Sequence, residues 1–148
     1  MTESFHITQA AREHIPAIAA IERECFSEPW PEEALLMLTD GRAMGLVALD
    51  GERVLGYVGM MCVLDEGQII NVAVGSDFRR RGIGAALMDA LESRARENGI
   101  AYLSLEVRES NTAARNLYET KGYTECGIRK GFYSKPIENA VVMTKELL

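Results

Sequence analysis

Hydrophobic residues recur with two different periods along this chain of 148 residues. Apolar positions three or four residues apart indicate the buried face of a helix, whereas short runs of apolar, β-branched residues indicate strands. By these criteria, helices are predicted over residues 16–25, 31–38, 82–98 and 111–121. Strands are predicted over residues 5–8, 46–49, 54–60, 68–74, 101–107, 123–126 and 140–144.

Turn residues separate these elements. Asp50-Gly51 is a hairpin signal between two strands, and Ser110 or Asn111 is placed to cap the last helix. Residues 127–139 are polar and are predicted to form a functional or surface loop. The order β-α-α-β-β-β-α-β-α-β-β predicts a single domain over residues 1–148, of the α/β class (α+β, with a mixed sheet) and with helices on both faces of the sheet.

Composition narrows the class of protein. The hydrophobic fraction of 47% and the charged fraction of 26% are ordinary for a globular domain. A net charge of −6 argues against nonspecific nucleic-acid binding and suits a basic peptide substrate, although solubility explains it equally well. There is no signal-peptide pattern at the N-terminus and no apolar run of the ~20 residues that span a bilayer. We therefore expect a cytoplasmic monomer with neither nucleic acid nor membrane as a partner.

Cysteine and histidine chemistry has little support. The three cysteines, Cys25, Cys62 and Cys126, are widely spaced and fit reduced thiols, with Cys62 predicted to be a small buried hydrophobe. Both histidines, His6 and His14, lie near the N-terminus, so neither a zinc site nor a Cys-His catalytic pair is favoured. We expect no metal.

The turn Arg79-Arg80-Arg81-Gly82-Ile83-Gly84 lies between a predicted strand and a predicted helix. A glycine-rich turn that opens a helix presents unpaired N–H groups and the positive end of the helix dipole, so it favours a phosphate ligand. A Walker A loop is excluded because Gly-Lys-Ser/Thr is missing, and Leu87 stands where a dinucleotide fingerprint has its third glycine. An ordinary strand-to-helix turn is the alternative.

Two further side chains are candidates for proton transfer. Alternation places Glu106 opposite Leu105 and Val107, near the C-terminal end of its strand, where ligands of open α/β sheets gather. It could accept a proton there, or it could be solvent-facing or ion-paired. Tyr118, with an ordinary phenol pKa of ~10, could donate a proton at neutral pH, or it could be a half-buried tyrosine packed beside Leu117.

The motif Arg79-x-x-Gly82-x-Gly84 after an apolar strand resembles the pyrophosphate-binding motif Gln/Arg-x-x-Gly-x-Gly/Ala of the GNAT acetyltransferase superfamily. Residues 105–123 are similar to the hallmark of its RimI-type branch, which acetylates the N-terminal alanine of a ribosomal protein. Further similarity to that branch is found in residues 25–30, 63–74 and 127–133.

The resemblance implies an N-acetyltransferase that uses acetyl-CoA as cosubstrate, without a metal. Its acceptor would be the N-terminal peptide of a small-subunit ribosomal protein. Glu106 would be the proton acceptor and Tyr118 the proton donor, and Asn111 would hydrogen-bond the coenzyme A arm. The peptide would lie against Phe26, Pro29, Trp30 and Tyr133.

The same resemblance implies how coenzyme A is held. The strand before the motif would carry a bulge and splay from the next strand, so that Val72, Ala73 and Val74 could pair with the pantetheine arm. The pyrophosphate would bind along the turn, at Arg79, Arg80, Arg81, Gly82, Ile83, Gly84 and Ala85.

Departures and alternatives remain. Asn139 stands where the branch has an aspartate and Phe132 where a tyrosine is frequent, which bears on peptide recognition. A broader N-terminal or lysine acetyltransferase would share these motifs. A coenzyme A-binding module without turnover would not need Glu106 and Tyr118 together, and a ribosome-binding structural protein would need a basic surface that the net charge of −6 does not promise.

Overall fold

The computed structural model describes residues 4–147, so the first three residues of the N-terminal segment considered above lie outside the described residues. The strands are β1 (His6–Gln9), β2 (Met44–Asp50), β3 (Arg53–Val63), β4 (Glu66–Val74), β5 (Tyr102–Arg108), β6 (Thr124–Ser134) and β7 (Ile137–Glu146). The helices are α1 (Ile15–Cys25), α2 (Glu32–Leu35), α3 (Ile83–Glu97) and α4 (Thr112–Thr120), and 3₁₀ turns cover Arg12–His14, Leu36–Leu38 and Ser76–Phe78. None of the described helices is long and apolar enough to cross a membrane.

One mixed sheet joins all seven strands in the order β1-β2-β3-β4-β5-β7-β6. Only the β4–β5 pair is parallel, and every other neighbouring pair is antiparallel. The predicted α+β class is therefore confirmed, and the predicted order of helices and strands is the observed one.

Helices cover both faces of the sheet, as predicted. Alternate residues of β2 point to opposite faces, so Leu46 and Ala48 belong to a core that includes α3, whereas Val47 and Leu49 belong to a core that includes α1 and α2. Each core buries the apolar stripe of its helices, for example Leu87 and Leu91 of α3.

Residues 127–139 belong mainly to the β6–β7 hairpin, so the prediction of a loop there was wrong. β6 is the outermost strand of the sheet, and nearly all of its residues are exposed. A strand with solvent on both faces has no apolar alternation to reveal it in the sequence. The predicted helix over residues 31–38 also differs, because α2 ends at Leu35 and a 3₁₀ turn continues to Leu38.

Strands β4 and β5 separate after a short paired stretch. Pairing covers only Glu66 to Gln68 of β4. Against β3, Asn71 pairs with Gly59 and Ile69 with Met60, so Ile70 is an extra, bulged residue. The bulge turns the second half of β4 away from β5 and leaves an opening between the two strands, as the resemblance implied.

A glycine keeps β3 and β4 close beside this opening, and its replacement should be costly. A Cβ atom on Gly56 would lie 2.7 Å from the Ala73 carbonyl oxygen and 3.2 Å from the Val74 Cα. Because backbone atoms of a paired strand cannot yield freely, we expect Gly56→Ala to lower the free energy of unfolding by about 1–3 kcal/mol. Gly127→Ala is the control, since its Cβ would meet no atom within 4 Å. Equal urea midpoints for the two variants would contradict this account.

Candidate active site

A cavity of about 420 Å³ occupies the opening between β4 and β5. Its walls come from the α1–α2 loop, the bulged part of β4, the end of β5, α4 and the β6–β7 hairpin. The predicted site residues that line it are Phe26, Trp30, Val72, Glu106, Asn111, Tyr118 and Tyr133. The structure thus brings together the predicted proton acceptor, proton donor and peptide-contacting residues, whereas Pro29, Ala73, Val74 and the turn residues lie outside the lining.

Glu106 reaches the cavity because successive side chains of β5 point to opposite faces of the sheet. Leu105 and Val107 are buried in the core, and the Glu106 side chain on the other face keeps 31% of its surface exposed. Its Oε2 lies 3.2 Å from Nε of Arg129 on the hairpin. The carboxylate is therefore both ion-paired and accessible from the cavity.

Tyr118 is more buried than predicted, at 8% exposure, although it is one of the residues that line the cavity. Burial, with a smaller contribution from Tyr133, raises the pKa of Tyr118 to about 12. The phenol therefore carries its proton throughout the neutral range. Asn111 caps this helix as predicted, because its Oδ1 accepts a hydrogen bond from the Ala114 N–H at 3.2 Å.

The arginine–glycine turn has the backbone geometry of an anion site. Arg80 and Gly82 both have positive φ, at 65° and 75°, and Gly82 is the N-cap of α3. Positive φ values in a turn change the direction in which successive N–H groups point, and the dipole of the helix that starts there adds positive potential. Ile83 is buried and fixes the start of the helix, so only its backbone is available to a ligand.

Arg79 connects this turn to the cavity wall. Its Nε lies 3.3 Å from the carbonyl oxygen of Val74, and its Nη2 lies 3.3 Å from Sγ of Cys25, a lining residue. In addition, a Cβ on Gly84 would lie 3.7 Å from Leu117 and 3.8 Å from Val74. The start of α3 therefore sits against both β4 and α4, at one end of the opening.

Comparison with known proteins gives the family. The model described as the acetyltransferase (GNAT) family matches residues 15–123. The chain belongs to the GNAT acetyltransferase family. It is an N-acetyltransferase, and members of this family use acetyl-CoA as cosubstrate.

Individual relatives in this family are similar to the present chain along most of its length. The present chain is 35% identical over 131 residues to a ribosomal protein bS18-alanine N-acetyltransferase of Salmonella typhimurium, covering 87% of this chain and 88% of the relative. A protein of the same name from Haemophilus influenzae is 37% identical over 126 residues, covering 83% and 86%. The crystal structure of the ribosomal-protein-S18-alanine N-acetyltransferase from Escherichia coli superposes with a TM-score of 0.89 at 31% identity, covering 97% and 94%.

In this GNAT enzyme, the α1–α2 loop is bonded to the tip of the β6–β7 hairpin across one side of the cavity, and the sequence did not reveal this. We call these contacts of Arg108 and Glu28 the roof of the cavity. Nη1 of Arg108 donates to the Pro136 carbonyl at 3.0 Å and lies 3.1 Å from Oε1 of Glu138. Its Nη2 donates to Oγ of Ser27 and to the Lys135 carbonyl, both at 3.2 Å. Arg108 therefore joins the α1–α2 loop to the tip of the hairpin. Ser27 lies 81 residues from Arg108 in the sequence, so no local pattern predicts the connection.

Glu28 strengthens the same roof. Its carboxylate accepts hydrogen bonds from the backbone N–H and the hydroxyl of Ser134, at 3.0 and 2.9 Å, and from the Lys135 N–H at 3.2 Å. These bonds, those from Ser134 first, hold the pKa of Glu28 below its usual value. Tyr133 lies beneath, with its ring 4.3 Å from the Arg108 guanidinium carbon.

A fully buried carboxylate was also missed. Glu22 of α1 has no exposed surface, and its Oε1 accepts a hydrogen bond from the Trp30 N–H at 2.8 Å. Its Oε2 accepts from Nδ2 of Asn71 at 2.9 Å and from the hydroxyl of Tyr57. Burial and this carboxylate raise the pKa of Tyr57. A signal existed, because Glu22 continues the apolar stripe that Ile15 begins in α1.

The remaining predicted features fall as follows. Asn139 accepts a hydrogen bond from the Gly131 N–H at 3.0 Å, so the departure from aspartate leaves it stabilising the hairpin. Phe132 lines the cavity and packs edge-to-face on Tyr133.

Cys62 is exposed, which corrects its prediction as a buried hydrophobe. It lies at the end of β3, beyond the residues that the two cores bury. Among residues 4–147, no group of three or more His, Cys, Asp or Glu side chains is placed to hold a metal ion.

The roof contacts predict a measurable loosening in Arg108→Met. Loss of the guanidinium removes its bonds to the loop and to the hairpin tip, each of the charged kind that contributes about 1.5–3 kcal/mol. We expect faster amide hydrogen exchange in residues 26–31 and 134–137, with α3 unchanged. Arg42→Met is the matched control, because the Arg42 ion pair with Asp40 is exposed and local. Unchanged exchange in the Arg108 variant would show that the roof is held by other contacts.

Proposed function

We propose that this enzyme transfers an acetyl group from acetyl-CoA to the α-amine of the N-terminal alanine of ribosomal protein bS18. The observation that carries the proposal is the meeting of Glu106 and Tyr118 in one cavity, at the point where β4 and β5 separate. The names of the relatives from Salmonella typhimurium and Haemophilus influenzae support this choice of acceptor. Such a substrate would be met in the cytoplasm.

The described residues fit acetyl-CoA, which would supply a reactive acetyl thioester. The half of β4 after the bulge is not paired with β5, so backbone groups of Val72 to Val74 have an open side where the pantetheine arm could pair. The turn at Arg80 and Gly82, at the N-terminus of α3, suits the pyrophosphate. Asn111 uses Oδ1 as a cap and keeps its amide N–H groups for the coenzyme A arm.

Proton transfer follows from the two side chains. A free α-amine has a pKa of ~8, so much of it is protonated at pH 7 and must lose a proton before it can attack. Glu106 would take that proton, directly or through a water molecule. Its ion pair with Arg129 would weaken once the carboxylate is protonated. Tyr118 would donate its proton to the departing thiolate, and backbone amides of β4 would polarise the thioester carbonyl.

Aromatic side chains line the proposed acceptor side of the cavity. Phe26 and Trp30 of the α1–α2 loop face the cavity with Tyr133 of the hairpin, and Arg108 and Glu28 close the roof over them. The net charge of −6 suits a basic peptide. Incubation with acetyl-CoA and a set of peptides, read by mass, tests the acceptor. The bS18 N-terminal peptide should be acetylated on its α-amine, and acetylation of lysine side chains instead would contradict the proposal.

The assignment of Tyr118 predicts a selective loss in Tyr118→Phe. We expect kcat to fall by about 10²–10⁴-fold, because the departing thiolate loses its proton donor, with acetyl-CoA binding nearly unchanged. The pKa of about 12 means that ionisation of Tyr118 should not depress the kcat of the parent enzyme below about pH 11. Unchanged turnover in the variant would remove Tyr118 from the mechanism. Tyr102→Phe is a control, since Tyr102 lies outside the cavity lining.

The assignment of Glu106 predicts a pH-dependent loss in Glu106→Gln. Activity at pH 7 should fall by about 10²-fold or more, and higher pH should restore part of it as the fraction of neutral α-amine rises. The pH profile of kcat/KM for the peptide measures this. A variant profile that parallels the parent profile would count against a role as base, and Glu109→Gln controls for the loss of a neighbouring charge.

A further inference from the structure

Buried polar contacts around Glu22 connect the two sides of the cavity. The loop that carries Trp30 belongs to the proposed acceptor side, and the bulged strand that carries Asn71 belongs to the proposed acetyl-CoA side. Glu22 bonds to both at once, with its two carboxylate oxygens 2.8 and 2.9 Å from their donors. Glu22 itself is not part of the lining. It can therefore influence the reaction only through the residues that it holds.

The chemistry of the contact specifies a carboxylate. The Trp30 N–H, the Asn71 amide and the Tyr57 hydroxyl all point donors at Glu22. An ionised carboxylate is acceptor-only and satisfies all of them. An apolar residue, which would continue the stripe of α1, would leave buried donors unpaired, and glutamine would turn an N–H₂ group against one of them.

Burial of this group is unfavourable unless its contacts compensate. A carboxylate with no exposed surface loses its hydration, which only close hydrogen bonds can replace. Its three donors come from separate parts of the chain, namely the α1–α2 loop, β3 and β4. The arrangement therefore fixes three segments relative to one another and does not simply fill the core.

We infer that Glu22 is a positioning residue for acetyl transfer. Its carboxylate keeps the Trp30 loop at a fixed separation from the bulge of β4, so that an amine held by the loop meets a thioester held along the strand. The inference rests on the proposed function only in that an amine acceptor enters past Trp30. Misplacement of reacting groups by about 1 Å can lower a rate by ~10²-fold.

The test is Glu22→Gln, which changes neither size nor shape. We expect kcat/KM for the acceptor peptide to fall about tenfold or more, with the Kd for acetyl-CoA within about threefold of the parent value. Trp30 is the only tryptophan, so its fluorescence reports the loop directly. We expect acrylamide to quench it more strongly in the variant. All measurements are made well below the Tm, on protein with the circular dichroism of the parent.

Two controls separate positioning from stability. Tyr57→Phe removes one donor to Glu22 but leaves the Trp30 and Asn71 bonds, so it should lower the Tm while kcat/KM stays within about threefold. Glu33→Gln removes an exposed charge near the same loop and should change neither quantity. Glu22→Asp keeps the charge but shortens the side chain, and it should lower kcat/KM in the same direction as Glu22→Gln. It decides the question if the glutamine variant does not fold.

The outcomes are distinct. A lower Tm with kcat/KM and Trp30 quenching unchanged in both Glu22 variants would overturn the inference and leave Glu22 a structural residue. An equal fall in acetyl-CoA affinity and in peptide kcat/KM would also overturn it, because the effect would then arise at the strand alone. The assay uses whichever amine the parent enzyme acetylates, so an error in the proposed bS18 acceptor is detected with the parent enzyme and is not confused with the role of Glu22.

Discussion

The separation of β4 from β5 creates the cavity and determines which segments of the chain line it. Only Glu66 to Gln68 pair with β5, and the bulge at Ile70 turns the remainder of β4 aside. Strands in the middle of a sheet normally satisfy each other's backbone groups, so an opening there leaves polar groups without strand partners. A ligand with amide groups of its own is a natural partner for such an edge, and the pantetheine arm proposed to bind here has such groups.

The two sides of the cavity differ in their electrostatic environment. On the hairpin side, Glu106 faces Arg129, and Arg108 and Glu28 tie the roof together through charged hydrogen bonds. On the helix side, Tyr118 is enclosed by apolar residues that keep its phenol neutral. The proposed proton acceptor thus has charged and accessible surroundings, whereas the proposed proton donor is buried.

Local pattern explains which parts of the molecule were predictable. The arginine–glycine turn, the alternation around Glu106 and the cap at Asn111 each depend on residues close in sequence, and the structure places them as expected. The β6–β7 hairpin escaped prediction because β6 is exposed on both faces, and the bonds of Arg108 join segments that are distant in sequence. Glu22 was predictable in part: the sequence shows a charged residue within the apolar stripe of α1, but it does not show which residues bond to that charge.

The position of the hairpin has a consequence for how such enzymes could diversify. The match to the family model ends at residue 123, before β6 begins, yet Tyr133 of the hairpin lines the cavity and Arg129 pairs there with Glu106. The parts that would handle the acetyl donor therefore lie in the shared portion, and one wall of the acceptor side lies beyond it. The outer strand β6 is exposed along nearly all of its length, so its side chains can change with small effects on folding, whereas β7 contributes Val141 and Met143 to the core. New acceptors could thus be acquired by altering β6, while the residues proposed to hold the donor stay unchanged.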